Sequence, residues 1–139
     1  KLVDIIVLLQ PTSPLRTSSD IDNSIKLFQE NDCDSVQSVM KTPITPYWTF
    51  KIVNGYLYPL FEESKFQMRS QDLPQTYVFN GSIYITTVKF FREHKTFRSS
   101  KSIPYIMKSE LSIDIDDFKD MKLVEEYLKS KNIDKEVVK

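Results

Sequence analysis

Apolar residues in this chain fall into short blocks separated by proline, asparagine and polar loops. Residues 5–9 read IIVLL, an unbroken run too short to cross a membrane and rich in strand formers. That pattern suits a strand buried on both faces of a sheet. Pro11 and Pro14 stop it, because each lacks an N–H and fixes its own φ. Gln10, Thr12, Ser13 and Arg16 then form a polar loop beyond the strand's carboxyl end, which is where open α/β sheets bind ligands. Residues 17–20 offer several N-caps, and Ile21, Ile25, Leu27 and Phe28 recur at helical spacing, predicting an amphipathic helix over 19–30. Residues 35–40 (SVQSVM) alternate small or polar with apolar positions and predict the next strand, completing a βαβ unit with a right-handed crossover.

The texture changes at Thr42. Pro43 and Pro46 interrupt the chain, then residues 47–52 predict a strand, Asn54-Gly55 a hairpin turn, and residues 56–58 the returning strand. Tyr47, Trp48, Phe50, Tyr56, Tyr58 and Phe61 cluster there, and a lone hairpin needs a surface to pack on. That surface is either its own domain or a partner, since exposed aromatic patches often mark interfaces. Residues 62–75 are polar and irregular, predicting a long loop, usually functional or mobile. Residues 77–86 predict a strand interrupted by Gly81, which suggests a bulge or a close backbone approach. A short helix over 88–95, a strand over 103–107, a closing helix over 117–129 capped by Asp116 or Asp117, and a tail over 133–139 complete the reading.

Composition narrows the function classes. With 139 residues, 40% of them apolar, the chain is one domain or part of one and can bury a core. Nineteen Lys and Arg balance nineteen Asp and Glu, so no net field draws it to nucleic acid or to a membrane. Cys33 is the single cysteine and no secretory signal is read, which fits a cytoplasmic setting. One cysteine and one histidine, His94, are too few for a zinc site.

Two groups of residues carry candidate chemistry. In residues 113–116 (IDID), read as strand, Asp114 and Asp116 project to one side while the isoleucines face the core. Carboxylates that close repel unless a cation or proton intervenes, and a hard ion such as Mg²⁺ would relieve them; a solvated strand edge beside a helix cap is the alternative. The second group, Arg69, Gln71, Tyr77 and Asn80, brings a guanidinium, two amides and a phenol onto one loop-to-strand segment, which could equally be a surface loop with scattered charges.

Three strings resemble, in order, the motifs of the acylneuraminate cytidylyltransferase family, the enzymes that activate sialic, pseudaminic and legionaminic acids. They are LLQPTSPLRT at residues 8–17, the segment from Arg69 through residues 80–84 (NGSIY), which is similar to RRQDLPxxYxxNGxIYI, and IDID. The resemblance implies an α/β, Rossmann-like nucleotidyltransferase three-layer fold with a mostly parallel sheet and an inserted β-hairpin dimerisation arm over 42–78. It implies transfer of CMP from CTP to the anomeric hydroxyl of a nonulosonic acid, with release of pyrophosphate. Asp114 and Asp116 would hold Mg²⁺; Gln10, Arg69, Gln71, Tyr77 and Asn80 would orient the sugar acid; Arg16 would contact substrate or brace its loop. A homodimer is expected. The family's ARxGSKGxxxKN loop, which cradles the triphosphate, has no counterpart, for Gly55 and Gly81 stand alone. The expectation is therefore the C-terminal majority of a cytidylyltransferase over residues 1–139, lacking the N-terminal part of the fold and inactive by itself. The alternatives are a non-catalytic dimerising or sugar-acid-binding module of the same fold, or a nucleotidyltransferase for another sugar. Ser70, standing where many members have a second arginine, leans toward the module.

Overall fold

The computed structural model describes residues 4–61 and 63–131; the predicted tail over 133–139 lies outside them. The IIVLL run is strand β1 (Ile5–Leu9), and the polar loop after it leads into helix α1 (Ser18–Glu30). Thr17 and Asp20 close a reciprocal capping box at the start of α1, satisfying two backbone donors that a helix end otherwise leaves orphaned. Strand β2 (Ser35–Lys41) follows, and further along the chain come β5 (Tyr77–Thr87), helix α3 (Val88–His94), β6 (Ser102–Ile106) and helix α4 (Phe118–Ser130). Asp117 and Asp120 form the capping box of α4, resolving the choice between Asp116 and Asp117.

The sheet is mixed. Its order is β1-β5-β2-β6, with β5 antiparallel to both β1 and β2, and only β2 and β6 paired in parallel. The expectation of a mostly parallel sheet is thus corrected. β1 and β2 point the same way, as a βαβ unit requires, but β5 enters between them from later in the chain. Nothing in the local sequence of β1 or β2 reserves that place. In register, Val36 of β2 and Val7 of β1 flank Ile85, while Leu9 faces Ile83. Phe28 of α1 closes over Val36, Ile83 and Ile85, with Ile5, Val7, Ile21 and Ile25 around them. Burying each such side chain contributes about 1.5–3 kcal/mol, so this face fixes the sheet. On the opposite face Tyr84 packs on Phe97, which packs on Phe91 at a centroid distance of 5.0 Å, and Gln37 Nε2 donates to the Phe97 carbonyl. No helix among the described residues is long and apolar enough to cross a membrane.

The arm between β2 and β5 is a separate two-stranded sheet, β3 (Phe50–Val53) and β4 (Tyr56–Pro59). Asn54 and Gly55 have φ of 51° and 83°, the paired positive values of a tight hairpin turn. Strand β3 starts later than predicted because Pro46 nucleates a 3-10 turn over Pro46–Trp48. The predicted long loop holds two short turns of its own, helix α2 (Glu63–Phe66) and a 3-10 turn at Ser70–Asp72. Edge-to-face pairs of Tyr47 with Phe61 and of Phe50 with Phe66 anchor the base of the arm.

One irregularity positions the site. Between the pairs Gln37↔Tyr84 and Val39↔Phe79, β2 advances two residues while β5 advances five. The excess forms a bulge over residues 80–82, opposite the end of β1, where pairing stops at Leu9↔Ile83. Ser38 Oγ fills the gap in the ladder, accepting from the Ile83 N–H at 2.7 Å.

Candidate functional site

The loop after β1 is a tight structure built by its own prolines and arginine. The Ser13 N–H donates to the Gln10 carbonyl across Pro11 at 3.3 Å. Arg16 Nη1 donates to the carbonyls of Gln10 at 2.6 Å and Ser13 at 2.7 Å, and lies 3.5 Å from that of Ser82 in the bulge. Ser13 is fully buried, and its hydroxyl donates to the Asn80 carbonyl at 3.3 Å. Loop and bulge are therefore joined by side-chain hydrogen bonds, and both face one point.

That point is Gly81, whose φ is +75°. A Cβ placed there would lie 2.5 Å from Gln10 Oε1, 3.3 Å from Ser13 Oγ and 3.5 Å from Asp114 Oδ2. Three polar side chains, two from the loop after β1 and one from the segment before α4, thus converge on the bulge, and only glycine leaves them room. Asp114 arrives by a different route from the one predicted. Residues 112–115 are an irregular segment, not a strand, so the alternation argument from a ladder is corrected; the segment is held by the Ile115 N–H donating to the Thr12 carbonyl at 2.8 Å. Asp114 is half-buried and its Oδ1 is buried without a hydrogen-bond partner among the described residues. Asp116 is exposed at the turn into α4, its N–H donating to Asp120 Oδ2.

Asn80 is buried and its amide is engaged by protein. Nδ2 donates to Ser112 Oγ at 2.8 Å and to the Met107 sulfur at 3.3 Å, while Oδ1 accepts from the Ser82 N–H. It ties the bulge to the segment carrying Asp114. Burial lowers the pKa of Arg16, which stays charged because guanidinium titrates far above working pH. Arg69, Gln71 and Tyr77 are exposed, and no hydrogen bond or ion pair among the described residues joins their side chains to the Gln10–Asp114 group. Gln71 instead lines a cavity of about 360 Å³ with Lys41, Thr42, Thr45 and Thr76, where Thr45 Oγ1 is buried without a partner among the described residues. Tyr77 opens β5 opposite Lys41. The sequence gives roles to Gln10 and Asp114, and places Ser13 in the same polar loop without assigning it one. The signal for Ser13 was its place between Pro11 and Pro14, where a short loop can aim a hydroxyl back at the sheet.

The chain is an α/β protein in which a polar loop at the carboxyl end of a strand is faced by a glycine bulge and by a carboxylate oxygen with no partner among the described residues, a candidate ligand site at the sheet end. Comparison with known proteins takes this further. The chain is 34% identical over 111 residues to an N-acylneuraminate cytidylyltransferase of Streptococcus agalactiae, covering 79% of this chain and 27% of that protein. It is 34% identical over 129 residues to the CMP-N,N'-diacetyllegionaminic acid synthase of Legionella pneumophila, covering 90% and 54%, and 28% identical over 130 residues to the post-translational flagellin modification protein B of Campylobacter coli, covering 94% and 55%. No protein-family model matches. The chain is therefore a homologue of N-acylneuraminate cytidylyltransferases over most of its own length. It spans 27% to 55% of the length of these relatives.

Proposed function

We propose that the protein to which this chain belongs transfers CMP from CTP to a nonulosonic acid. The anomeric hydroxyl oxygen bonds to the α-phosphorus, the bond to the β-phosphate oxygen breaks, pyrophosphate leaves, and the hydroxyl proton passes to solvent. The observation that supports this is the convergence of Gln10, Ser13 and Asp114 on Gly81, with Asp114 Oδ1 left without a partner among the described residues.

The donor set suits Mg²⁺. Asp114 offers a carboxylate with one oxygen unpartnered, Gln10 offers an amide oxygen beside it, and Asp116 offers a second, exposed carboxylate. Among the described residues no group of three or more carboxylate, imidazole or thiol side chains forms a closed metal site. Asp114 and Asp116 would therefore share the ion with water and substrate phosphates, the usual arrangement for magnesium. When bound, the ion supplies Lewis-acid polarisation and a template for the phosphates. Gln10 would orient the sugar acid from the loop, whose backbone over residues 10–13 is already fixed before substrate arrives. Arg69, Gln71 and Tyr77 would approach the same substrate from the segment that leads into β5, with Arg69 offered to its carboxylate. The arm formed by β3 and β4 is proposed to pair two copies, because Ile52, Tyr56 and Leu57 stay open on it.

The whole gene product, given CTP, Mg²⁺ and sialic, pseudaminic or legionaminic acid, should form a CMP-sugar and release pyrophosphate. Turnover of hexose phosphates with none of the three acids would overturn this reading. Saturable binding of an acid without product would return the non-catalytic module.

A further inference from the structure

We infer that Arg16 is the positioning residue of the site, setting the Gln10 amide and the Ser13 hydroxyl through their backbones rather than by touching substrate with the nitrogen that holds them. The kinetic part of this inference rests on the transferase reading; the structural part does not.

Arg16 stands between the polar loop and the N-cap of α1, so its Cα is fixed by the helix behind it. Its Nη1 carries two N–H groups, and the two short bonds at 2.6 and 2.7 Å go to the carbonyls of Gln10 and Ser13. Those two residues carry the side chains that converge on Gly81. The Gln10 carbonyl also accepts from the Ser13 N–H, so one guanidinium and one amide hold the whole turn closed across Pro11. The Ser82 carbonyl, 3.5 Å from the same nitrogen, brings the bulge within reach of the same group. Charge-assisted bonds to two carbonyls from a planar head are directional, and a lysine ammonium, a point charge on a flexible stem, does not reproduce them. The cluster of Phe28, Val36, Ile83 and Ile85 holds the sheet independently of the turn, since none of its members belongs to the loop. Opening the turn would displace Gln10 and Ser13 together.

The test uses Arg16→Lys and Arg16→Ala in the full chain. In ¹⁵N NMR the side-chain amide of Gln10 and the backbone amide of Ser13 should shift or broaden in both variants, more in the alanine, while core amides such as that of Ile85 hold their positions. Unchanged Gln10 and Ser13 signals in a folded variant would overturn the inference, whatever the protein catalyses. In the CMP-transfer assay, Arg16→Lys should raise KM for the sugar acid about tenfold with kcat and the KM for CTP nearly unchanged. Guanidinium ion should restore part of the loss in Arg16→Ala. Combining Arg16→Lys with Gln10→Ala should cost little more than Gln10→Ala alone, since both remove the same placed amide. Full multiplication of the two effects, or a parallel rise in the KM for CTP, would show that Arg16 acts independently of Gln10. Absence of any CMP-sugar would sink the transferase reading, and the NMR result would still decide the role of Arg16.

Discussion

Gln10 and Gly81 share one space: the amide oxygen of Gln10 lies 2.5 Å from where a Gly81 Cβ would stand. Gly81 is doubly required, because its φ of +75° also disfavours any L side chain. Gly81→Ala should cost about 1–2 kcal/mol from the backbone conformation. The steric part is relieved cheaply, since the obstructing atom ends a flexible side chain, but relief moves the Gln10 amide out of the site. The expected outcome is a modestly lowered denaturation midpoint with a much larger loss of sugar-acid binding by calorimetry. Equal binding in Gly81→Ala would show that the Gln10 amide has no part in recognition.

Asp114 keeps a buried carboxylate oxygen that no group among the described residues satisfies. Such an atom costs stability unless a ligand meets it. Asp114→Asn should therefore leave the melting temperature in EDTA unchanged or raised. Magnesium should stabilise the parent chain, by about 2.7 kcal/mol at a hundred times its dissociation constant, and should no longer stabilise the variant. Thermal melts with and without Mg²⁺ measure both. An undiminished magnesium effect in Asp114→Asn would place the ion elsewhere.

Much of this arrangement was legible from local rules. The IIVLL run, the helix after Thr17, the Asn54-Gly55 turn and the helix capped at Asp117 all follow from apolar periodicity, caps and positive-φ residues, which act over a few positions. The insertion of β5 between β1 and β2 was not legible, because strand order is set by contacts between residues up to about eighty positions apart, as in Ile5↔Thr87. The alternation in residues 113–116 suggested a strand, yet the segment lies outside the ladders and is held by the Ile115 N–H on the Thr12 carbonyl and by Asn80 on Ser112. Gly81 announced a close approach without saying to what. The loop that faces it, with Ser13 buried against Asn80, became visible only once β1 and β5 were paired.

Asn80 illustrates the same dependence on distant partners. Its side chain accepts from Ser82 N–H and donates to Ser112 Oγ, joining the bulge to the segment that carries Asp114. Asn80→Ala would strand a buried donor and leave a cavity at the junction. The expected loss is about 2 kcal/mol in urea denaturation. Asn80→Asp should be no better, because a buried carboxylate cannot donate to Ser112. A loss below about 0.5 kcal/mol in Asn80→Ala would mean the bulge is held by the remaining contacts alone.

Tyr105 of β6 donates to Asp20 Oδ1 at 3.0 Å, tying the far edge of the sheet to the start of α1. Burial, and then the hydrogen bond to Asp20, raise its phenol above the ordinary tyrosine value. In the unfolded chain the phenol ionises first, near pH 10, so above that pH the unfolded state binds fewer protons than the folded one. The contribution of Tyr105 is therefore complete below about pH 10 and is lost as pH rises through its folded value. Tyr105→Phe should lower stability at neutral pH and flatten its fall above about pH 10, relative to the parent chain. Parallel stability–pH curves for the two proteins would contradict this.

The hairpin arm gives the proposed dimer a direct test. Ile52 and Leu57 are cross-strand partners near its tip, 74% and 66% exposed, whereas Phe50 on the same face packs against Phe66 at the base. The base is thus satisfied within the chain and the tip is open. Replacing the pair as Ile52→Lys with Leu57→Glu keeps a favourable cross-strand contact, so the hairpin should persist while its apolar tip is lost. If the arm joins two copies, sedimentation velocity should show the parent chain as a dimer and the double variant as a monomer at the same concentration. Circular dichroism should match between them, because the core around Phe28 is untouched. A double variant that still sediments as a dimer would place the interface away from the hairpin tip, and a monomeric parent chain would remove the dimer from the proposal.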